Sequence, residues 1–137
     1  MAGLYVHIPY CVKKCDYCDF VSVPLDDTLD GYVGALCREI ALAAEDGCAG
    51  RAFDTVFFGG GTPSLLGGAQ LSRILDELRA HFSLAADAEC SLECNPGTVD
   101  FERLSAYRTA GVNRLSLGLQ ARQDALLASV GRIHTYA

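Results

Sequence analysis

Three cysteines stand within eight residues of this chain: Cys11, Cys15 and Cys18, spaced C-x3-C-x2-C. Thiols crowded at fixed offsets are metal ligands or nucleophiles before they are packing residues. Structural zinc takes a closed set of four ligands, so three cysteines are one short; Asp16, Asp19, His7 or a distant cysteine could supply the fourth. Cysteine thiolates also hold iron–sulfur clusters. A cubane of four irons bound by three cysteines leaves one iron open to a small molecule. Three free loop thiols are the remaining reading. A second segment with chemical potential is Gly59-Gly60-Gly61-Thr62-Pro63. Consecutive glycines let a ligand approach backbone N–H and C=O groups closely, or simply make a tight turn before a helix. The segment is not a phosphate-binding P-loop, because the Gly-Lys-Ser/Thr ending is missing.

Periodicity shows which elements must carry these residues. Leu4 to Ile8 alternates as a short strand. Thr28 is placed to cap a helix whose Leu29, Tyr32, Val33, Leu36 and Ile40 share one face. Thr55 to Phe58 reads as a buried strand stopped by the glycine run, and Leu71, Ile74, Leu75, Leu78 and Phe82 mark a second amphipathic helix. Cys90 to Cys94 is a third strand, and 101–110 a third helix ended by Gly111. Leu115 to Gln120 is a fourth strand, and Ala125 to Val130 begins a fourth helix.

Strand and helix alternate four times, which predicts a parallel α/β sheet. A doubly wound sheet would have strands apolar on both faces. Here Leu4, Val6 and Ile8 oppose Tyr5 and His7; Cys90, Leu92 and Cys94 oppose Ser91 and Glu93; Leu115, Leu117 and Leu119 oppose Ser116, Gly118 and Gln120. One apolar face and one polar or small face predict a barrel or open barrel with helices outside and a lined cavity inside. Four βα units do not close such a barrel, which takes about eight, so the expectation is the N-terminal part of a longer protein. The cysteine loop and the glycine run each follow a strand, and Glu93 and Gln120 face inward near the same C-terminal edge. All four belong where parallel βα folds bind ligands.

Half of the 137 residues are hydrophobic and a fifth are charged, as in an ordinary globular chain. No apolar run approaches the roughly 18 residues of a membrane helix. Met1-Ala2-Gly3 opens no secretory signal, which predicts a cytoplasmic protein. The net charge is −6 and the only lysines are Lys13 and Lys14, so the basic stripe of a sequence-independent nucleic-acid binder is missing. Seven cysteines, an odd count, do not read as a disulfide framework. Cys37, Cys48, Cys90 and Cys94 are dispersed, and parity turns Cys90 and Cys94 toward the helices as small buried hydrophobes. Lys13 and Lys14 read as a solvated loop tip.

The segments Leu4–Cys11, C-x3-C-x-aromatic-C, Phe58-Gly59-Gly60-Gly61-Thr62-Pro63-Ser64, Leu92-Glu93-Cys94-Asn95-Pro96 and Asn113–Gln120 together resemble the radical S-adenosylmethionine superfamily. Within it they are similar to the oxygen-independent coproporphyrinogen III oxidase family, over essentially the whole chain. The porphyrinogen oxidases carry a further cysteine two positions after the third; here Asp19-Phe20 follows Cys18. That ending, with Gly131-Arg132-Ile133-His134-Thr135, is similar to the haem chaperone branch, whose members are thought to bind haem and hand it to an acceptor protein.

The resemblance implies a partial TIM-like barrel, with residues 1–137 as the N-terminal part of the core domain and a cluster loop at 10–20. It implies a [4Fe–4S] cluster on Cys11, Cys15 and Cys18, with S-adenosylmethionine chelating the open iron and cleaved by one electron. It places Tyr17 near the adenosine; Gly60, Gly61 and Thr62 at the methionine end; and Glu93, Gln120, Arg132 and Tyr5 on the cofactor side. Arg132 reads equally as a solvated arginine, and His7 receives no role. Haem or a porphyrinogen would be the further ligand, and the electron donor and haem acceptor are left unnamed. Oxidative decarboxylation of coproporphyrinogen III is the alternative function, and an inactive fragment is a third reading.

Overall fold

The computed structural model describes residues 2–45 and 51–136; Cys48 lies outside them. Four strands, β1 (Gly3–Ile8), β4 (Ala52–Gly60), β5 (Ser83–Cys94) and β6 (Arg114–Leu117), form one parallel sheet in the order β1-β4-β5-β6. Helices α1 (Leu29–Ala43), α2 (Gly68–His81) and α3 (Phe101–Ala110) connect them, and α4 (Asp124–Ser129) follows β6. The strands lie side by side in chain order, with no reversal. A doubly wound sheet reverses its order at a switch point; a barrel wall does not. This is the incomplete TIM-like α/β barrel wall that strand parity predicts.

The apolar strand faces meet the helices in one core. Val6, Ile8, Val56, Phe58, Cys90, Leu92 and Cys94 pack with Val33, Leu36 and Ile40 of α1, Leu71, Ile74, Leu75 and Leu78 of α2, and Tyr107 of α3. Each fully buried Leu, Ile or Phe contributes about 1.5–3 kcal/mol by leaving water. Register sets the rest: Ile8 pairs with Gly60, Phe58 with Leu92, and Cys94 with Leu117. The C-terminal strand ends are therefore level, and the loops after β1, β4 and β5 emerge on one side.

Several local expectations are corrected. β4 runs through Gly59 and Gly60, because both glycines pair with His7 and Ile8 of β1. β5 starts at Ser83, not Cys90; its first half is a weakly patterned, largely exposed stretch that pairs with β4 across an irregularity between Phe53 and Thr55. β6 ends at Leu117, and Gln120 sits beyond it in a left-handed conformation, φ 68°. Leu115, Leu117 and Leu119 are exposed where helix cover was expected: β6 is an edge strand and α4 buries only Leu127. α4 begins one residue earlier than expected, at Asp124. Thr28 precedes α1 without capping it. Its hydroxyl bonds Asp26 and the Tyr10 hydroxyl instead. A small two-stranded sheet, β2 (Tyr10–Cys11) with β3 (Val23–Pro24), had no sequence signal. It closes the cysteine loop at its base, with Leu25 N–H donating to Cys11 O at 2.8 Å.

Candidate functional site

The cysteine loop leaves β1 and folds back over the C-terminal sheet edge. Two interactions seat it. Gly61 N–H donates to Ile8 O at 2.8 Å, tying the glycine run to the end of β1. Asp16 N–H donates to Val130 O at 3.3 Å, tying the loop to the turn after α4. Gly131 in that turn has φ +77°, and a Cβ there would lie 3.2 Å from Asp16 N. His7 uses both ring nitrogens, at 3.1 Å to the Tyr5 hydroxyl and 2.9 Å to Val21 O. It fastens the loop's return and is not free to act as a fourth metal ligand.

These elements enclose a cavity of about 240 Å³. Cys11, Cys15, Cys18, Tyr17, Gly60, Gly61, Thr62, Glu93, Gln120 and Arg132 all line it. Tyr5, which the resemblance also puts on the cofactor side, is not on its wall, and neither are the fourth-ligand candidates His7, Asp16 and Asp19. Tyr5 is 59% exposed and stacks on Phe57. It still feels the site: burial first, and then the Glu93 charge, raise its phenol above the ordinary value.

Cys11 is buried, and Cys15 and Cys18 are half-buried. Among the described residues no three His, Cys, Asp or Glu side chains form a group that could hold a metal ion. The three thiols border one cavity. Three thiolates are one short of the closed four-ligand shell of structural zinc. They suit a polynuclear cluster, in which each cysteine binds a different iron and one iron stays open. Tyr17, 53% exposed, stands beside Cys15 and Arg132. Burial raises its phenol, Arg132 opposes that shift, and Cys15 reinforces it.

Glu93 sits half-buried on β5 opposite Ser116, and no salt bridge among the described residues involves it. An inward carboxylate without a cation is costly unless a ligand completes it. Arg132 is a basic group of the same cavity wall, as are Lys13 and Lys14. It donates to Asn95 Oδ1 at 2.9 Å, to Cys15 Sγ at 3.6 Å and to Gly118 O, while its buried Nε has no partner among the described residues.

Sequence reading missed Asn95, which lines the cavity and donates to Thr62 Oγ1 at 3.0 Å. The support beneath it was missed too. Ser64 Oγ lies 2.6 Å from Thr98 Oγ1, and the Tyr107 hydroxyl donates to Ser64 O and Leu66 O at 3.0 and 2.6 Å. The available signal was the run of small hydroxyl and amide residues just after β4 and β5. Cys90 and Cys94 are buried on the helix side, their thiols pushed up to about 11 by burial.

The sequence profile of the Radical SAM superfamily matches residues 5–137. The chain belongs to the radical SAM superfamily. Radical SAM proteins in general work with a [4Fe–4S] cluster and S-adenosylmethionine. This radical SAM chain is 47% identical over 138 residues to "Heme chaperone HemW" of Escherichia coli (strain K12), covering 96% of the chain and 35% of that protein. It is 47% identical to the Synechocystis protein of the same name, covering 95% of the chain and 32% of that protein. It is 42% identical to mouse "Radical S-adenosyl methionine domain-containing protein 1, mitochondrial", covering 98% and 30%. Among solved structures it superposes on coproporphyrinogen III oxidase (HemN) from Escherichia coli with a TM-score of 0.88 at 38% identity, covering 96% of the chain and 31% of that protein. The chain thus spans about a third of the length of these relatives. The relatives named as chaperones belong to the branch that the Cys18-Asp19-Phe20 ending resembles. No helix among the described residues is long and apolar enough to cross a membrane.

Proposed function

We propose that this chain is the cofactor-binding part of a haem chaperone, and that residues 1–137 form the N-terminal part of its radical SAM core. Cys11, Cys15 and Cys18 would hold a [4Fe–4S] cluster, and the cavity beside them would hold S-adenosylmethionine. When bound, the cluster supplies one electron to the sulfonium of that nucleotide. The chain's own residues bind, orient and shield. Glu93 offers an acceptor to a cationic amine, and Arg132 a donor to a carboxylate. Backbone groups of Gly60 and Gly61 admit close approach, while Tyr17 and Gln120 flank the opening. The observation that carries this reading is the convergence of three thiols, a glycine run, one carboxylate and one guanidinium on a single cavity.

The haem-chaperone assignment is supported by relatives that bear that name at 42–47% identity over most of this chain. Haem would be the cargo and an acceptor protein the recipient. Both need chain beyond the third of the relatives' length present here. The exposed Leu115 and Leu117 on edge strand β6 are consistent with further strands in the complete barrel. A reduced cytoplasmic compartment fits the free cysteines among the described residues.

The test is anaerobic reconstitution with iron and sulfide. The expected product is brown, with about four irons per chain, and Cys11→Ala abolishes it. One zinc per chain with no iron uptake overturns the reading. A second reading, oxidative decarboxylation of coproporphyrinogen III, is favoured by the likeness to HemN. It is opposed by Phe20, two positions after Cys18, where the oxidases carry another cysteine. Full-length protein supplied with coproporphyrinogen III, reductant and S-adenosylmethionine separates them: turnover supports the oxidase, and its absence with retained haem binding supports the chaperone.

A further inference from the structure

Three polar side chains from three separate segments connect two of the three thiols. Thr62 Oγ1 donates to Cys11 Sγ at 3.6 Å, Asn95 Nδ2 donates to Thr62 Oγ1 at 3.0 Å, and Arg132 Nη2 donates to Asn95 Oδ1 at 2.9 Å. Arg132 Nη1 then donates to Cys15 Sγ at 3.6 Å. The direction of this chain is forced by one residue. A guanidinium has five N–H donors and no acceptor. Asn95 must turn its oxygen to Arg132 and therefore its nitrogen to Thr62. The Thr62 oxygen is then an acceptor, and its own proton points to Cys11. Both ends of the chain deliver a donor to sulfur. Among the described residues no side chain does the same for Cys18.

We infer that Asn95 is a positioning residue that polarises this relay, so that Thr62 and Arg132 each donate a hydrogen bond to a cluster thiolate and raise the reduction potential of the centre. The inference rests on the proposed cluster on Cys11, Cys15 and Cys18. Donors aimed at ligand sulfurs stabilise the more negative, reduced state, a recognised control on iron–sulfur potentials. Asn95 is central because it joins the two sulfur donors, accepting from Arg132 and donating to Thr62. An aspartate at this position accepts from Arg132 and also from the Thr62 hydroxyl, which turns that proton away from Cys11. Thr62 is 3% exposed, so no solvent competes for its proton.

The experiment is a redox titration of the anaerobically reconstituted full-length protein, followed by electron paramagnetic resonance. One electron passes from dithionite through mediators to the oxidised centre, and no bond of the chain is broken. Asn95→Asp and Thr62→Val are each expected to lower the ratio of reduced to oxidised centre about tenfold at fixed poise, a 59 mV shift for one electron. Thr62→Ser keeps the hydroxyl and is expected to keep the potential. Thr62→Val adds no charge and preserves shape, so it carries the test even where Asn95→Asp fails to fold. Potentials of both variants within about twofold of the parent ratio overturn the relay while leaving the cluster assignment intact. Failure of the parent protein to assemble any cluster overturns both.

Discussion

Gly61→Ala separates two explanations of the glycine run. Sequence reading leaves the glycines to the approach of a ligand or to a tight turn before a helix. The structure gives Gly61 a different duty: a Cβ at this position would lie 2.7 Å from Tyr10 O, 3.0 Å from Cys11 Sγ and 3.0 Å from Pro9 C, whereas ordinary contact begins at 3.4 Å. Two of those obstacles are backbone, held by the Gly61-to-Ile8 hydrogen bond and by pairing of β2 with β3. No side-chain rotation relieves them, so the first cysteine must move by several tenths of an ångström. Overpacking of this kind costs about 1–3 kcal/mol, equivalent to about 3–15 °C in melting temperature for a domain of this size. The assays are thermal melting of the metal-free protein and iron content after reconstitution. Gly61→Ala is expected to lose both melting temperature and iron. Gly31→Ala, where nothing lies within 4 Å of the added Cβ on exposed α1, is expected to gain about 0.5–1 kcal/mol and keep its iron. A Gly61→Ala protein that melts within about 1 °C of the parent and takes up the same iron refutes the claim that chain packing dictates this glycine.

Other outcomes follow from the same geometry. Tyr107→Phe removes a donor shared by Ser64 O and Leu66 O; Arg103 still reaches Ser64 O at 3.0 Å, so one stranded carbonyl costs about 1–3 kcal/mol, measurable by denaturant unfolding. Arg132→Lys cannot reproduce a planar fork that reaches Asn95, Gly118 and Cys15 together; calorimetry is expected to show at least about tenfold weaker S-adenosylmethionine binding. Burial pushes Cys90 and Cys94 up to about 11 and Tyr107 up to about 12. An acid whose pKa is raised by folding stabilises the fold below its unfolded pKa, so metal-free protein is expected to hold its melting temperature up to about pH 8 and lose it from about pH 9 to 11. Replacing both cysteines by alanine flattens that loss, and an unchanged slope contradicts the assignment.

The order of elements was readable because each strand and helix carries its own periodicity. Val33, Leu36 and Ile40 recur at helical spacing, and Cys90, Leu92 and Cys94 at strand spacing; all six are buried where that pattern puts them. The errors fall where a local signal competes with a distant partner. Ser83 to Glu89 has no alternation and becomes strand because β4 lies beside it. Thr28 has cap chemistry, but the Asp26 carboxylate two residues away and the Tyr10 hydroxyl take its side chain. Leu115 and Leu117 have the parity of covered residues on a strand whose outer face nothing described covers.

The candidate site divides along the same line. Cys11, Cys15 and Cys18 are legible because their spacing is local, and Glu93 because a carboxylate on an inward strand position conflicts with burial. Asn95 belongs to a segment that carries the resemblance, but no role of its own is legible there. It follows Cys94 as an ordinary loop amide, and its importance depends on Thr62 thirty-three residues before it and Arg132 thirty-seven after it. Arg132 was ambiguous for the same reason: an arginine at the end of a short helix looks solvated until Asn95 and Gly118 are seen to hold it. Buried polar groups have to be satisfied, and satisfaction is a property of pairs that spacing does not encode. Two of the relay's three side chains, Thr62 and Asn95, lie on the loops at the C-terminal strand ends, and the level strand register brings those loops together. Moving β5 by one residue against β4 would turn Glu93 out of the cavity and Cys94 into it. The pairing of Phe58 with Leu92 therefore fixes the chemistry of this site as firmly as the cysteine spacing does.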